Sequence, residues 1–142
     1  MTLGVLLSLV ACGEDSERSD DATDGAETSS TGEGKEPGAP TGKVVSKVEV
    51  EEIEYRLVPP NPEVEEAGVV EFEVTNSGKI GHALEVEGPE GEVETEEIEP
   101  GGKATLKADL GKPGRYIWYC PIGDHQKRGM KGEIIVAGGG LR

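Results

Sequence analysis

Val70-Glu71-Phe72-Glu73-Val74 alternates apolar and acidic residues without a break. A period of two is typical of a β-strand with one face in the core and the other in water. The pattern therefore predicts a strand whose valine and phenylalanine side chains point inward and whose two glutamates are solvated. A sheet built from such strands needs a second layer to cover its apolar face.

Five further segments have the composition of strands. Turn clusters rich in glycine and proline, such as Pro59–Pro62, separate them, and no long stretch has the period of a helix. Seven or eight short strands in roughly 100 residues predict an all-β fold, an antiparallel β-sandwich. Glu85 and Glu87 would then also lie on solvated sheet faces. The segments are Val44–Ile53, Leu84–Glu87, Lys103–Leu110, Arg115–Cys120 and Glu133–Ala137.

The N-terminus has the features of an export signal. Leu3–Ala11 is apolar and uncharged. It is shorter than the roughly 20 residues of a membrane-spanning helix, but it has the length of a signal-peptide core. Leu9-Val10-Ala11-Cys12 resembles a bacterial lipobox, although no basic residue precedes the run. We expect residues 1–11 to be a signal peptide and Cys12 to be the lipidated mature N-terminus. The alternative is an apolar N-terminal strand that buries Cys12.

A long acidic segment follows Cys12. Residues 13–42 hold nine acidic and two basic residues but no Val, Ile, Leu or aromatic residue. Such a segment cannot bury enough apolar surface to offset the entropy of ordering, so we expect 12–42 to be a disordered linker that tethers a folded domain at 43–142. The net charge of −15 argues against nucleic-acid binding, because phosphate contacts need clustered Lys and Arg.

The scarcest side chains are the ones that carry chemistry. The chain has two His, two Cys and two Met, and one Met is the initiator. Cys120, His125 and Met130 lie on one loop between predicted strands, and His82 begins another strand after a turn. A thiolate, two imidazoles and a weak thioether are the donors of a type 1 copper site. Soft sulfur favours Cu(I) and imidazole suits Cu(II), so the mixed set favours electron transfer.

Other roles for these residues remain open from the sequence alone. Structural zinc uses Cys and His, although Met is not among its usual ligands. Cys120 and His125 could pair as nucleophile and base, but no substrate pocket is evident and we expect no enzyme activity. A Cys12–Cys120 disulfide is compatible with export, but lipidation would consume Cys12. Each residue alone could also be structural.

The ordered part of the chain resembles the cupredoxin family of small blue copper proteins. The resemblance implies a Greek-key β-sandwich that holds one type 1 copper, with His82, Cys120 and His125 as equatorial ligands, Met130 as the axial ligand and the Gly81 carbonyl as a weak further contact. The residues that carry it are Asn76–His82, Pro100-Gly101, Lys112–Tyr116, Tyr119-Cys120, His125 and Gly129–Gly132.

Two features depart from the family pattern. Four residues separate His125 from Cys120, and four separate it from Met130, which differs from plastocyanin and azurin. Ala83 stands where the family often has Asn, so the side-chain tether of an Asn is lost. The backbone N–H of Ala83 can still donate to the Cys120 sulfur.

The resemblance also implies one-electron transfer by Cu(II)/Cu(I) cycling. The edge of the His125 imidazole would be the electron port, surrounded by an apolar patch. Lys127, Arg128 and Lys131 make the loop basic within an acidic domain, and we expect them to steer it toward an acidic patch on a redox partner. The residues of the apolar patch are Pro121, Ile122, Gly81 and Gly129.

We expect a monomer that exchanges electrons with transient donor and acceptor proteins. Lipidation of Cys12 would hold it to the outer face of a membrane, in the periplasm or at the cell surface. The alternative function is an extracytoplasmic copper carrier that delivers copper to an oxidase.

Overall fold

The structure, a computed structural model, describes residues 40–138. All regular elements in this range are β-strands. The alternation in β4 buries Val70, Phe72 and Val74 and exposes Glu73, as the sequence predicts. Glu71, which was also predicted to be solvated, is half-buried and pairs with Lys47 and Lys107. The nine strands are β1 (Val44–Ile53), β2 (Arg56–Val58), β3 (Glu63–Val64), β4 (Gly68–Asn76), β5 (Glu85–Gly88), β6 (Gly91–Glu94), β7 (Lys103–Leu110), β8 (Gly114–Tyr119) and β9 (Lys131–Val136).

The strands form two sheets, in the orders β2-β1-β4-β7 and β3-β9-β8-β5-β6. The predicted all-β sandwich is confirmed. The sheets are mixed, however, because β1 pairs with β4 and β3 pairs with β9 in parallel, whereas the sequence predicted antiparallel strands. The chain leaves the first sheet after β2, adds β3 to the second sheet and returns as β4. Such a crossover allows β4 to run in the same direction as β1.

The core lies between the sheets and contains the one tryptophan of the chain. The Trp118 ring packs against Phe72 with ring centroids 5.7 Å apart. Its Nε1 donates to the Pro60 carbonyl at 2.9 Å. Gly132 pairs with Trp118 across β8 and β9, and a side chain at Gly132 would collide with the Pro60 carbonyl. A glycine at this position therefore permits the connection that follows β2 to pack against the second sheet.

The prediction that Glu85 is solvated is wrong. Glu85 is 7% exposed, and the Tyr119 hydroxyl donates to its carboxylate at 2.5 Å. Tyr119 is its partner across β5 and β8, and such pairs are close enough for a large side chain to cover a smaller one. Alternation within β5 alone does not reveal this cover, because it comes from a strand distant in sequence.

The predicted signal peptide, Cys12 and nearly all of the linker lie outside the described residues, so these assignments stay predictions. Within residues 40–138, no helix is long and apolar enough to cross a membrane. β1 begins at Val44, one residue after the predicted start of the folded domain.

Candidate metal centre

His82 lies in the connection between β4 and β5 and is fixed by backbone hydrogen bonds. Its N–H donates to the Ile98 carbonyl at 3.1 Å, and the Ile98 N–H donates back at 2.6 Å. Asn76, buried at the end of β4, braces the same connection. Its Nδ2 donates to the carbonyls of Ile80 at 2.8 Å and Ile98 at 2.7 Å, and its Oδ1 accepts from the Gly78 N–H at 2.8 Å. A fully bonded buried amide of this kind rigidifies its surroundings.

Cys120, His125 and Met130 lie on the loop that joins β8 to β9. This loop, residues 120–130, is the ligand loop. The Cys120 N–H donates to the Met130 carbonyl, the Met130 N–H to the His125 carbonyl and the His125 N–H to the Ile122 carbonyl, each at 3.0 Å. Backbone hydrogen bonds therefore close the ligand loop on itself and fix the relative positions of its three sulfur and nitrogen side chains.

The donor atoms of His82, Cys120 and His125 converge. The two Nδ1 atoms lie 3.3 Å apart, and the Cys120 Sγ lies 3.4 Å from the His125 Nδ1 and 4.0 Å from the His82 Nδ1. The centre of a triangle with these sides is about 2.1 Å from each corner, which is close to metal–nitrogen and metal–sulfur bond lengths. The three residues therefore form a group that could hold a metal ion.

Burial sets the protonation chemistry of these donors. His82 and Cys120 are fully buried, and His125 is 8% exposed. Burial and the neighbouring His125 lower the pKa of His82, which favours the neutral imidazole, the form that binds a metal. Burial also raises the pKa of the Cys120 thiol, although backbone N–H groups oppose the shift. A bound cation would oppose this shift and favour the thiolate.

The Ala83 N–H lies 3.5 Å from the Cys120 Sγ, which is the contact predicted from the sequence.

Met130 is fully buried, and its backbone bonds to both Cys120 and His125. Two imidazoles and a thiolate, with the thioether of Met130 as the predicted fourth donor, suit copper better than zinc, because Met is not a usual zinc ligand. The axial role of Met130 stays a prediction.

The residues around the donors match the predicted apolar patch only in part. Pro121 and Ile122 are half-buried, and Ile122 packs against the core. Gly81 is covered by a carboxylate, since a side chain there would collide with Glu97. The proposed contact of the Gly81 carbonyl with the metal stays a prediction.

Lys127 and Arg128 of the ligand loop and Lys131, the first residue of β9, are exposed. Lys127 and Lys131 have no ion-pair partner among the described residues. The Arg128 guanidinium lies over the ring of Tyr55, 3.4 Å from its centroid, and Tyr55 also contacts His125. Tyr55 could not be predicted from the sequence, because a contact between the β1–β2 turn and the ligand loop leaves no local signal.

Glu52 is a second residue near the centre that was not predicted from the sequence. It is fully buried near the end of β1, neither carboxylate oxygen has a hydrogen-bond partner, and burial raises its pKa to about 7. Its charge adds to the forces that raise the pKa of Cys120, so it belongs to the environment of the centre. The sequence does contain a signal for the burial of Glu52. Val48 and Val50 alternate inward along β1, and Glu52 is the next residue on the same face.

Comparisons with known proteins agree with this fold. A family model described as multicopper oxidase matches residues 52–139. A structure of sodium-dithionite-reduced auracyanin from the photosynthetic bacterium Roseiflexus castenholzii is 18% identical, with a TM-score of 0.59, covering 68% of this chain and 100% of that chain. A structure of auracyanin B is 16% identical, with a TM-score of 0.63, covering 70% of this chain and 94% of that chain.

A crystal structure of a multicopper oxidase is also similar, at 17% identity and a TM-score of 0.50. The match covers 66% of this chain but only 42% of that one. No curated protein matches the chain.

The fold and the site together define a cupredoxin-like domain with a ligand group for one copper ion. The family match covers more than half of the sequence, and the chain belongs to the multicopper oxidase family.

Proposed function

We propose that this chain is a type 1 copper protein that transfers single electrons. The observation that carries the proposal is the convergence of the Cys120 Sγ with the Nδ1 atoms of His82 and His125 at 3.3–4.0 Å. When bound, copper would supply one-electron chemistry by alternating between Cu(I) and Cu(II).

The chain's own residues would keep the ligand geometry the same in both oxidation states. Asn76 braces the connection that carries His82, and backbone hydrogen bonds close the ligand loop around Cys120, His125 and Met130. A metal site that keeps its geometry lowers the free-energy barrier to electron transfer, because little protein or solvent must reorganise when the oxidation state changes. The three donors are also screened from water, which favours retention of copper over delivery to another protein.

The number of histidines favours an electron carrier over an oxidase for this chain. The whole sequence contains two histidines, and both lie in the one ligand group. This chain therefore has no histidine left for a second copper centre of the same kind. The auracyanin structures are matched over 100% and 94% of their length, so in those structures this fold makes up nearly the whole chain.

The location and partners are part of the proposal. The lipobox-like sequence at Cys12 supports lipid anchoring on the outer face of a membrane, and the acidic linker would serve as the tether of a monomer. Exposed Lys127 on the ligand loop and Lys131 next to it support transient docking to acidic surfaces of donor and acceptor proteins.

Copper loading tests the proposed function. Protein loaded with Cu(II) and gel-filtered should show an intense visible absorption from thiolate-to-copper charge transfer. Cys120→Ser should abolish the band, whereas Met130→Leu should retain it with a shifted reduction potential, since the thioether is a weak axial donor. Wild-type protein that binds one copper but shows no such band would contradict the type 1 assignment.

A further inference from the structure

Tyr55 contacts the ligand His125 from a different part of the fold. It lies in the turn between β1 and β2, and its ring meets the imidazole edge-on, with centroids 5.3 Å apart and planes at 77°. This is a favourable geometry for a pair of aromatic rings. The imidazole is therefore packed against a residue that the ligand loop does not supply.

Arg128 holds the same tyrosine. Its guanidinium carbon lies 3.4 Å from the Tyr55 ring centroid, which is a cation–π contact. The backbone N–H of Arg128 donates to the carbonyls of Asp124 at 3.0 Å and His125 at 3.1 Å. These hydrogen bonds fix the position of Arg128 relative to His125. His125 and Arg128, both on the ligand loop, thus contact the ring of Tyr55, which lies outside that loop.

The backbone of Tyr55 is strained in a way that supports this contact. Its φ of 61° lies in the left-handed region, which is costly for a bulky residue. Gly129 lies against it, because a Cβ at Gly129 would be 3.4 Å from the Tyr55 carbonyl oxygen. Strained residues persist where surrounding contacts over-determine them, and such sites are often functional.

The exposed fraction of the side chains increases from His125 to Tyr55 to Arg128. His125 is 8% exposed, Tyr55 is half-buried and Arg128 is exposed. The imidazole edge that the sequence suggests as the electron port is therefore largely covered, and Tyr55 is the next aromatic ring toward the surface.

We propose that Tyr55, held by Arg128, is a positioning residue for His125 and the outermost aromatic group on the route of the electron. The inference rests on the proposed electron-transfer function. One electron passes per event, no bond forms or breaks, and the tyrosine is neither oxidised nor deprotonated. The surface fits an anionic redox partner, because a guanidinium lies over the ring.

Oxidation of the reduced, copper-loaded protein by hexacyanoferrate(III) tests the route. Each event moves one electron from the metal centre to the reagent and yields hexacyanoferrate(II). Tyr55→Leu should slow the reaction severalfold although it uncovers His125, and Tyr55→Phe should restore most of the rate because the ring is kept. Arg128→Gln should slow it about threefold to tenfold at low salt only, since steering is screened.

Matched controls are Tyr116→Leu, which removes a tyrosine of β8 bonded to the Lys112 carbonyl, and Arg115→Gln, which removes an arginine paired with Glu133. Both should leave the rate unchanged. A Tyr55→Leu protein that keeps its copper absorption and reacts as fast as the wild type, or faster, would overturn the proposal, because a bare imidazole would then be the better port.

A copper-free measurement separates this proposal from the proposed function. In proton NMR spectra of the metal-free chain, the Tyr55 ring current should displace the His125 imidazole signals. Tyr55→Leu should abolish the displacement and Tyr55→Phe should keep it. Unchanged His125 signals in Tyr55→Leu would refute the positioning role even if copper transfers electrons. A missing charge-transfer band in wild-type protein would instead contradict the proposed function.

Discussion

Glu52 makes a pH-dependent contribution to stability. Burial raises its pKa to about 7 from the ordinary value of 4.5. Between these pH values the unfolded chain loses the proton while the folded protein still holds it. The free energy of unfolding should therefore fall as pH rises from about 4.5 to 7 and stay lower above 7, by an amount on the order of 3 kcal/mol at most.

Glu52→Gln should remove this slope and stabilise the metal-free protein at pH 8 relative to the wild type. Denaturant unfolding at a series of pH values measures the difference between the two proteins. Glu49→Gln is the matched control, because Glu49 is an exposed glutamate of the same strand, and it should leave the slope in place. A Glu52→Gln protein with the wild-type slope would show that the carboxyl is hydrated or paired in solution.

The connection from β4 to β5 depends on one amide. Asn76 makes three hydrogen bonds within this connection and to Ile98. Asn76→Ala leaves their partners unsatisfied in a buried place, which should destabilise the fold by about 1–3 kcal/mol. Because His82 lies on the same connection, copper affinity should fall about tenfold to a hundredfold, as for residues that orient a ligand.

Copper competition titration and thermal unfolding measure the two effects of Asn76→Ala. Asn61→Ala is the matched control, since Asn61 is exposed and its Oδ1 accepts one hydrogen bond, from the Glu133 N–H. If both variants lose stability equally while copper affinity stays at the wild-type value, Asn76 has no role in placing His82.

Local patterns revealed most strands and the three residues whose donor atoms converge, His82, Cys120 and His125, and longer-range packing accounts for what they missed. Alternation identified β4, and the sparse Cys, His and Met residues identified the site. The burial of Glu85 depends on Tyr119, which lies 34 residues away in sequence. The contact of Tyr55 with His125 likewise joins two elements that only the folded sandwich brings together. The parallel pairing of β1 with β4 follows from a crossover that strand patterns do not specify.

The charge distribution of the molecule is uneven. The chain as a whole carries −15, yet the ligand loop and the first residue of β9 present exposed Lys127, Arg128 and Lys131. Lys127→Glu combined with Lys131→Glu should slow oxidation by an anionic reagent about tenfold at low ionic strength, and the difference should shrink at high salt. Stopped-flow rates over a salt series measure this.

Lys112→Glu, an exposed change in the turn before β8, is the control for net charge and should have a smaller effect. Equal slowing by Lys112→Glu and by a single Lys127→Glu would mean that net charge, and not the position of the lysines, governs the encounter.

The parallel register of β1 and β4 has a mechanical consequence. β4 runs beside β1 from Val44 to Glu52, and β1 is an internal strand of its sheet. A pull on the N-terminal end of β1 along its axis would load these hydrogen bonds together as a shear, whereas an edge strand pulled sideways would open one bond at a time. If the preceding linker is anchored, tension would therefore reach the domain at a strand whose hydrogen bonds share the load.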